Sequence, residues 1–333
     1  NNIFLNLNIT ASKEIEEIVK YAQELGVFSF KFYMWGVPGN PTTDDALLYD
    51  GFCQVARLGR KGLACVHAET KTIVDSETER ISKLKSWNKS SLKKYAASHP
   101  AVAEALAIET AAHLAEYART RLYIVHLSSK EGLDTATRLK KHMPNLILET
   151  TPHHLNLTEN DPNGTFAKIA PPVRSETHNR ALWQGVADGR IETIGTDNLP
   201  RKRKQKVNHW KKAITGFPGY GTSLALMLDR GHHKRGIPLE RIAAMVSMNP
   251  AKTFGWFPKK GTIQRGADAD IVLVDLNKSK SVHWKELEHW SDFSVYEGWR
   301  LKGWPVMTIQ GGQVAYENNQ IVTEEGSGGY LRH

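Results

Sequence analysis

The chain has 333 residues, of which 40% are hydrophobic and 24% charged, a composition typical of globular proteins and not of disordered, collagenous or coiled-coil ones. Its 44 basic and 35 acidic residues give a net charge of +9, but no zinc-finger, RRM or helix-turn-helix signature accompanies this excess, so we expect no nucleic-acid partner. No apolar run approaches the ~20 residues of a membrane span, and two cysteines cannot frame a secreted disulfide scaffold, so we expect a cytoplasmic protein with no membrane partner.

Short β-branched or aromatic runs alternate with helical patterns from the start of the chain to about residue 200. The runs predicted as strands are residues 3–9, 27–33, 62–67, 121–127, 146–149 and 192–196. The predicted helices are an apolar stripe that follows Ser12, then residues 101–117, 130–142 and 178–186. Strands that alternate with helices predict a parallel sheet, either closed into a barrel or doubly wound.

Reactive side chains decide between these two folds. Lys31, His67, His126 and Asp197 each lie in or just beyond the end of a predicted strand. Such groups at the ends of successive strands favour a TIM-type (β/α)8 barrel, whereas a dinucleotide-binding fold would show a GxGxxG turn, and none occurs. Only six βα units are visible, and six strands would leave two unpaired edges. We therefore expect this chain to supply the third to eighth units, with about two more preceding it in the complete polypeptide.

The pattern changes after residue 200. The basic run 201–206 has two interpretations, a solvated loop or a feature that attracts anionic ligands or partners. Loops and helices follow, and then short strands are predicted to begin at 260–263 and 267–275 and to continue at 305–309 and 313–316. We predict a barrel part with peripheral helices at 1–255, and a small β-rich domain with a C-terminal extension at 256–333.

The strand-end residues are of types that bind metals. Imidazole and carboxylate groups such as those of His67, His126 and Asp197 ligate zinc, although either histidine taken alone is more often structural. Lys31 lies within an apolar strand, where lysine is rarely buried without a partner. Three interpretations are open: the Lys31 side chain points to an edge of the sheet, it pairs with a carboxylate, or it is a desolvated nucleophilic amine. Such an amine can add carbon dioxide and become a carbamate, an anionic ligand able to bridge two metals.

Nine short motifs occur in order, at residues 29–31, 66–69, 125–131, 149–155, 171–174, 195–198, 249–252, 260–270 and 325–328. With them the chain resembles, essentially from end to end, the cyclic amidohydrolases of the amidohydrolase superfamily: dihydropyrimidinase, hydantoinase, allantoinase and dihydroorotase. The resemblance implies a homo-oligomer, a tetramer or a dimer, and a small cyclic amide as the substrate.

The resemblance also implies a site. Lys31 would be carboxylated and bridge two divalent metal ions, most simply Zn²⁺, while His67 and His126 ligate the more exposed metal. Asp197 would ligate the other metal and act as general base and acid. A hydroxide that bridges the metals would attack the carbonyl of a hydantoin, dihydropyrimidine or allantoin-like ring.

Three departures from the family's pattern stand out. The His-x-His pair of its first barrel strand is absent, in agreement with the expectation of preceding units. The substrate-polarising Tyr, five positions after the carboxylated lysine, is Gly36 here, and Tyr33 or Trp35 is an alternative contact. The usual Asp-His after the eighth strand is Asp197-Asn198.

Substrate contacts are predicted for Tyr33, His153, Asn198 and Gly219. His153 either donates to the substrate or orients a metal-ligating neighbour. The motif at 151–155 resembles that of dihydroorotase and allantoinase, whereas the C-terminal motif resembles that of dihydropyrimidinase.

One alternative belongs to another functional class. Some relatives of dihydropyrimidinase have lost their metals and serve as assembly or cytoskeletal scaffolds without catalysis. A scaffold would have lost several ligands, so the retention of Lys31, His67, His126 and Asp197 favours the enzyme. The missing His-x-His pair keeps the alternative open.

Overall fold

The computed structural model describes residues 2–36, 42–84 and 90–333. The chain divides into two compact units. The barrel unit contains Leu5–Gly195, Gln205–Gly216 and Arg332–His333, and the antiparallel unit contains residues 2–4, Thr196–Lys204 and Phe217–Leu331. The boundary predicted at residues 255–256 falls inside the antiparallel unit, and it stays a prediction.

Six parallel strands form the sheet of the barrel unit. They are β1 (Leu7–Asn8), β2 (Ser29–Tyr33), β3 (Leu63–His67), β4 (Leu122–Ile124), β5 (Leu146–Thr150) and β6 (Thr193–Ile194). Neighbours in the sheet follow chain order from β1 to β6, and every pair is parallel. A doubly wound sheet reverses its strand order at a switch point, whereas this sheet does not, so the order is that of six successive units of a TIM-type barrel.

Helices follow these strands and cover the sheet. They are α1 (Ser12–Glu16), α2 (Ile18–Leu25), α3 (Asp45–Ala56), α4 (Lys71–Lys83), α5 (Ser91–Ser98), α6 (Ala101–Ala118), α7 (Lys130–Leu139), α8 (Pro152–Asn156) and α9 (Glu176–Asp188). Short 3₁₀ turns lie at Gly59–Lys61 and Gly164–Ala167. The Asp44 side chain caps α3 by accepting from the Leu47 N–H at 2.8 Å. Phe32 of β2 packs edge-on against Phe52 of α3, with ring centroids 5.4 Å apart and both side chains fully buried.

The antiparallel unit has a sheet of four strands in the order β10-β9-β8-β7. They are β7 (Ile271–Ser281), β8 (Arg300–Gln310), β9 (Gln313–Glu317) and β10 (Gln320–Ile321). Its helices are α10 (Tyr220–Leu226), α11 (Leu239–Ala243) and α12 (Asn249–Thr253), with π-helical stretches at Met227–His233 and Ala244–Met248 and a 3₁₀ turn at Trp284–Glu286. Gly311 and Gly312 join β8 to β9 with φ of 57° and 86°, the positive values that a tight two-residue hairpin requires.

The strand predicted at 260–263 is wrong. Gly261 has φ of 81°, a left-handed conformation that an extended strand does not continue through. Lys260 instead pairs with the carboxylates of Asp268, at 2.9 Å, and Asp270. The segment is therefore an ion-paired loop that precedes β7.

Lys206 shows that the basic run 201–206 is not simply a solvated loop. The side chain is 2% exposed and lies in the barrel unit. Its ammonium donates to the backbone carbonyls of Lys168, Ile214 and Gly216 at 3.1, 2.9 and 2.9 Å. A buried ammonium is tolerated only when its donors are satisfied, as they are here, so this lysine anchors a loop.

Within the described ranges, no helix combines the length and apolar character needed to cross a membrane.

Candidate functional site

Two imidazoles face each other at the carboxyl ends of neighbouring strands. His67 is the last residue of β3 and His126 follows β4. The Nδ1 atom of His67 lies 3.1 Å from Nε2 of His126, and both side chains are buried. Two nitrogens that each lie 2.0–2.1 Å from one tetrahedral zinc would be about 3.3 Å apart. The pair therefore has nearly the spacing of two ligands of a single metal ion.

The backbone at His126 is held in an uncommon conformation. Its φ is 38°, a left-handed value that few residues other than glycine adopt. The carboxylate of Glu149 accepts from the His126 N–H at 2.9 Å and from the Tyr123 hydroxyl at 2.7 Å. In the described part of the chain, the buried Nδ1 atom of His126 has no hydrogen-bond partner. Such strain and such an unsatisfied imidazole are typical of a functional position.

The Glu69 carboxylate is hydrogen-bonded to Nε2, the other ring nitrogen of His67. Its Oε2 atom lies 2.8 Å from His67 Nε2, and its Oε1 atom lies 2.8 Å from Nδ1 of His99. Burial alone would raise the pKa of the Glu69 carboxyl, but His99 and His67 outweigh burial and lower the pKa well below its usual value. An ionised carboxylate only accepts hydrogen bonds, so His67 donates through Nε2 and turns a lone pair on Nδ1 toward His126.

Lys31 lies in the middle of β2, where it pairs in register with Cys65 of β3. Its side chain is 9% exposed, so the amine does not point into solvent. Burial lowers the pKa of His126 well below 6.5, and the charge of Lys31 lowers it further. Burial and the charge of Lys31 also lower the pKa of His67. The amine is therefore close enough to influence both imidazoles.

The residues of the barrel unit near His67 and His126 fit part of a metal site. Among the residues that the structure describes, no three side chains of His, Cys, Asp or Glu are grouped to hold a metal ion. Two neutral imidazoles with converging nitrogens are present, together with the buried Lys31. An ammonium repels a cation, so Lys31 can join the ligands only in a form that has lost its positive charge.

Three predicted site residues lie in the antiparallel unit. Asp197 follows β6 by three residues and has φ of 40°, another uncommon value. The Asn198 side chain accepts from the Gly219 N–H at 2.9 Å. A Cβ atom at Gly219 would lie 3.0 Å from the carbonyl oxygen of Thr196, which explains the glycine. The convergence of Asp197 with Lys31 and the histidine pair stays a prediction.

The remaining predicted contacts lie in the barrel unit. The Tyr33 ring is centred 5.2 Å from the Lys31 ammonium and 6.1 Å from the centre of the His67 ring. The Tyr33 hydroxyl donates to Asn8 at 3.3 Å. His153 is buried in α8, and burial lowers its pKa well below 6.5. Tyr33 is thus beside the candidate ligands, and both roles considered for His153 stay predictions.

Sequence reasoning missed Glu69 and Glu149. Glu69 belongs to the motif 66–69, and a carboxylate two residues after a strand-end histidine is a recognisable signal for a residue that orients a ligand. Glu149 carries no such signal, because its partners His126 and Tyr123 approach only once β4 and β5 pair.

Acid is expected to destabilise the fold through His154. The buried ring accepts from the Thr151 hydroxyl at 2.8 Å and donates to the Pro171 carbonyl at 2.9 Å. Burial lowers the pKa of His154 to about 4, against about 6.5 in an unfolded chain. Between these values the unfolded chain binds a proton that the folded chain does not, so the free energy of unfolding falls as the pH falls. The difference is equivalent to about 3 kcal/mol.

Urea unfolding at pH 7 and pH 4.5 measures this effect. We expect His154→Gln to lose less stability on acidification than the unchanged protein does. His113→Gln, at an exposed position of α6, is the control and should lose as much as the unchanged protein. An equal loss in all three proteins would contradict the assignment to His154.

Comparisons of the sequence and the structure with known proteins agree with one another. The model of the amidohydrolase family matches residues 63–315. The chain is 32% identical to the L-hydantoinase of Paenarthrobacter aurescens over 94% of its own length and 69% of that protein's, and 35% identical to the allantoinase of Rubrobacter xylanophilus over 90% and 65%. It superposes on the crystal structure of dihydropyrimidinase from Brevibacillus agri with a TM-score of 0.92 at 26% identity, covering 99% of this chain and 73% of that one. The chain thus spans about two thirds of the length of these curated relatives.

Proposed function

Because the chain belongs to the amidohydrolase family and, within it, to the cyclic amidohydrolases, we propose that it carries the catalytic barrel of a metal-dependent enzyme that opens a cyclic amide or imide ring. One observation carries this proposal: the nitrogens of His67 and His126 face each other at 3.1 Å beside the buried Lys31. Family membership confirms the resemblance drawn from the nine motifs, and the TIM-type barrel is confirmed with it.

The scaffold alternative is not favoured. The matched relatives are named as hydantoinases, allantoinases, a dihydroorotase and a dihydropyrimidinase, which are enzyme names. Lys31, His67, His126 and Asp197 are also all retained in this chain.

The family is metal-dependent, and the finer proposal is two Zn²⁺ ions. His67 and His126 would hold one ion, Asp197 would hold the other, and the carbamate of Lys31 would join both. When bound, such ions lower the pKa of water to about 7 and polarise a carbonyl group. The neutral state of both histidines, which burial enforces, keeps their lone pairs available.

The chain's own residues would then move the proton. Asp197 would accept a proton from the attacking water while the oxygen of that water bonds to the ring carbonyl carbon. The same carboxyl would return that proton to the ring nitrogen as the C–N bond breaks, so no further reactant is needed. Tyr33, His153, Asn198 and Gly219 are proposed to contact the ring.

The substrate proposed is a small cyclic amide: a hydantoin, a dihydropyrimidine or an allantoin-like ring. We also propose a homo-oligomer, either a tetramer or a dimer, by analogy with the family.

A cytoplasmic location is also proposed. It is supported by the free thiols of Cys53 and Cys65, which suit a reducing compartment.

Metal analysis joined to a ring-opening assay tests the proposal. The intact polypeptide should contain about two zinc ions per chain and hydrolyse hydantoin, dihydrouracil or allantoin; chelation should abolish hydrolysis, and added Zn²⁺ should restore it. His126→Ala should lose metal and activity together. His113→Ala, at an exposed position of α6, should keep both. An intact protein with no metal and no activity on any of the three rings would contradict the proposal.

A further inference from the structure

Glu69 joins two imidazoles in the interior of the barrel unit. Its carboxylate is fully buried and accepts from Nε2 of His67 and Nδ1 of His99, each at 2.8 Å. His99 is 1% exposed and lies 30 residues farther along the chain, directly after the end of α5. The three side chains therefore form a continuous buried row that ends at the imidazole facing His126.

His99 is itself fixed on several sides. The Trp35 ring meets the His99 ring edge-on with centroids 4.6 Å apart, and the Tyr95 ring lies 4.5 Å from it. The guanidinium of Arg174 donates to the His99 carbonyl at 2.5 Å and to the Ser128 hydroxyl at 3.0 Å. Arg174 therefore braces the interior, and His99 has little freedom to turn away from Glu69.

We propose that Glu69 is a positioning residue for the metal site, and that His99 is the second support that keeps Glu69 in place. This inference rests on the proposed function, because the site in question is the one at His67. Glu69 would fix the rotation of the His67 ring and its tautomer, with the proton on Nε2 and the lone pair on Nδ1. His99 would stop the carboxylate from rotating away from His67.

Glutamine at position 69 would replace one of the two hydrogen-bond acceptors of the carboxylate with a donor. A carboxylate accepts from both imidazoles, whereas an amide accepts through its oxygen and donates through its nitrogen. One of the two histidines would then face an N–H group. Where that histidine is His67, the conflict would be relieved by moving a proton onto Nδ1, the nitrogen that faces His126, or by rotating the ring.

Titration of the metal-depleted intact protein with Co²⁺, followed by its visible absorption, tests the proposal. Glu69→Gln should bind Co²⁺ about 10- to 100-fold more weakly and with an altered spectrum. The matched control is Asp229→Asn, since Asp229 is also a buried carboxylate but lies in the antiparallel unit, where it accepts from the Lys302 N–H at 3.0 Å. In the metal-free protein, the nitrogen NMR shifts of His67 should report the Nε2–H tautomer, and Glu69→Gln should lose that signature.

A second pair of variants decides the question if Glu69→Gln does not fold. His99→Leu removes the second support and should weaken Co²⁺ binding several-fold, whereas His99→Asn keeps a donor near the place of Nδ1 and should restore much of it. Equal Co²⁺ affinity and equal spectra in Glu69→Gln and the unchanged protein would overturn this inference and leave the proposed function standing. An unchanged protein that binds no Co²⁺ would overturn the proposed function, and the His67 tautomer would then decide on Glu69 separately.

Discussion

Replacing Lys31 with alanine is expected to remove the bound metal and to lower ring-opening turnover by about 10³-fold or more. The physical reason is that the metals supply several kcal/mol of stabilisation to the developing charge, and a loss of about 4 kcal/mol corresponds to a factor of about 10³. Metal content and turnover, measured on the same preparation, should fall together.

A small carboxylic acid should partly reverse the loss in Lys31→Ala. Acetate or propionate can enter the space left by the lysine and present two anionic oxygens, as a carbamate would. Lys168→Ala is the matched control, because Lys168 is also buried, donates to the Ala213 carbonyl at 2.6 Å, and has no proposed part in the site. Unchanged metal content in Lys31→Ala would contradict the bridging role.

Replacing Asp197 with asparagine is expected to lower turnover by about 10²- to 10⁴-fold, the usual contribution of a general acid or base. Asparagine keeps an oxygen that can ligate a metal, but it cannot accept and return the proton. We therefore expect the KM to change far less than kcat, and most of the metal to remain. Steady-state kinetics and metal analysis measure these quantities.

Asp188→Asn is the control for this substitution. Asp188 is the last residue of α9, where its carboxylate pairs with Arg190 at the surface, and its removal should leave kcat unchanged. A kcat for Asp197→Asn within a few-fold of that of the unchanged protein would show that another group moves the proton.

Much of the barrel unit could be predicted because its signals are local. The helix predicted at 101–117 is Ala101–Ala118 in the structure, since Pro100 directly precedes its first turn and a run of alanine and leucine sustains it. The edge strands are shorter than predicted: the run at 3–9 yields only Leu7–Asn8. An apolar run shows that a segment can be buried, but its partner decides how many residues pair.

In the candidate site, too, the features with local sequence signals could be predicted and the others could not. The proximity of His67 and His126 could be expected, because the ends of adjacent parallel strands lie side by side. The support from Glu69 could not, because it depends on His99, which lies beyond two helices, α4 and α5. Nor could the sequence show that Asp197 belongs to a different compact unit from Lys31.

The chain passes between the two compact units five times, after Phe4, Gly195, Lys204, Gly216 and Leu331. A single cut of the chain therefore cannot separate one unit from the other. Recombination at a single point cannot exchange one unit either. Residues Arg332–His333 belong to the barrel unit, although the long stretch Phe217–Leu331 before them belongs to the antiparallel unit. The two units must therefore be produced together, because no continuous segment of the chain contains one of them without part of the other.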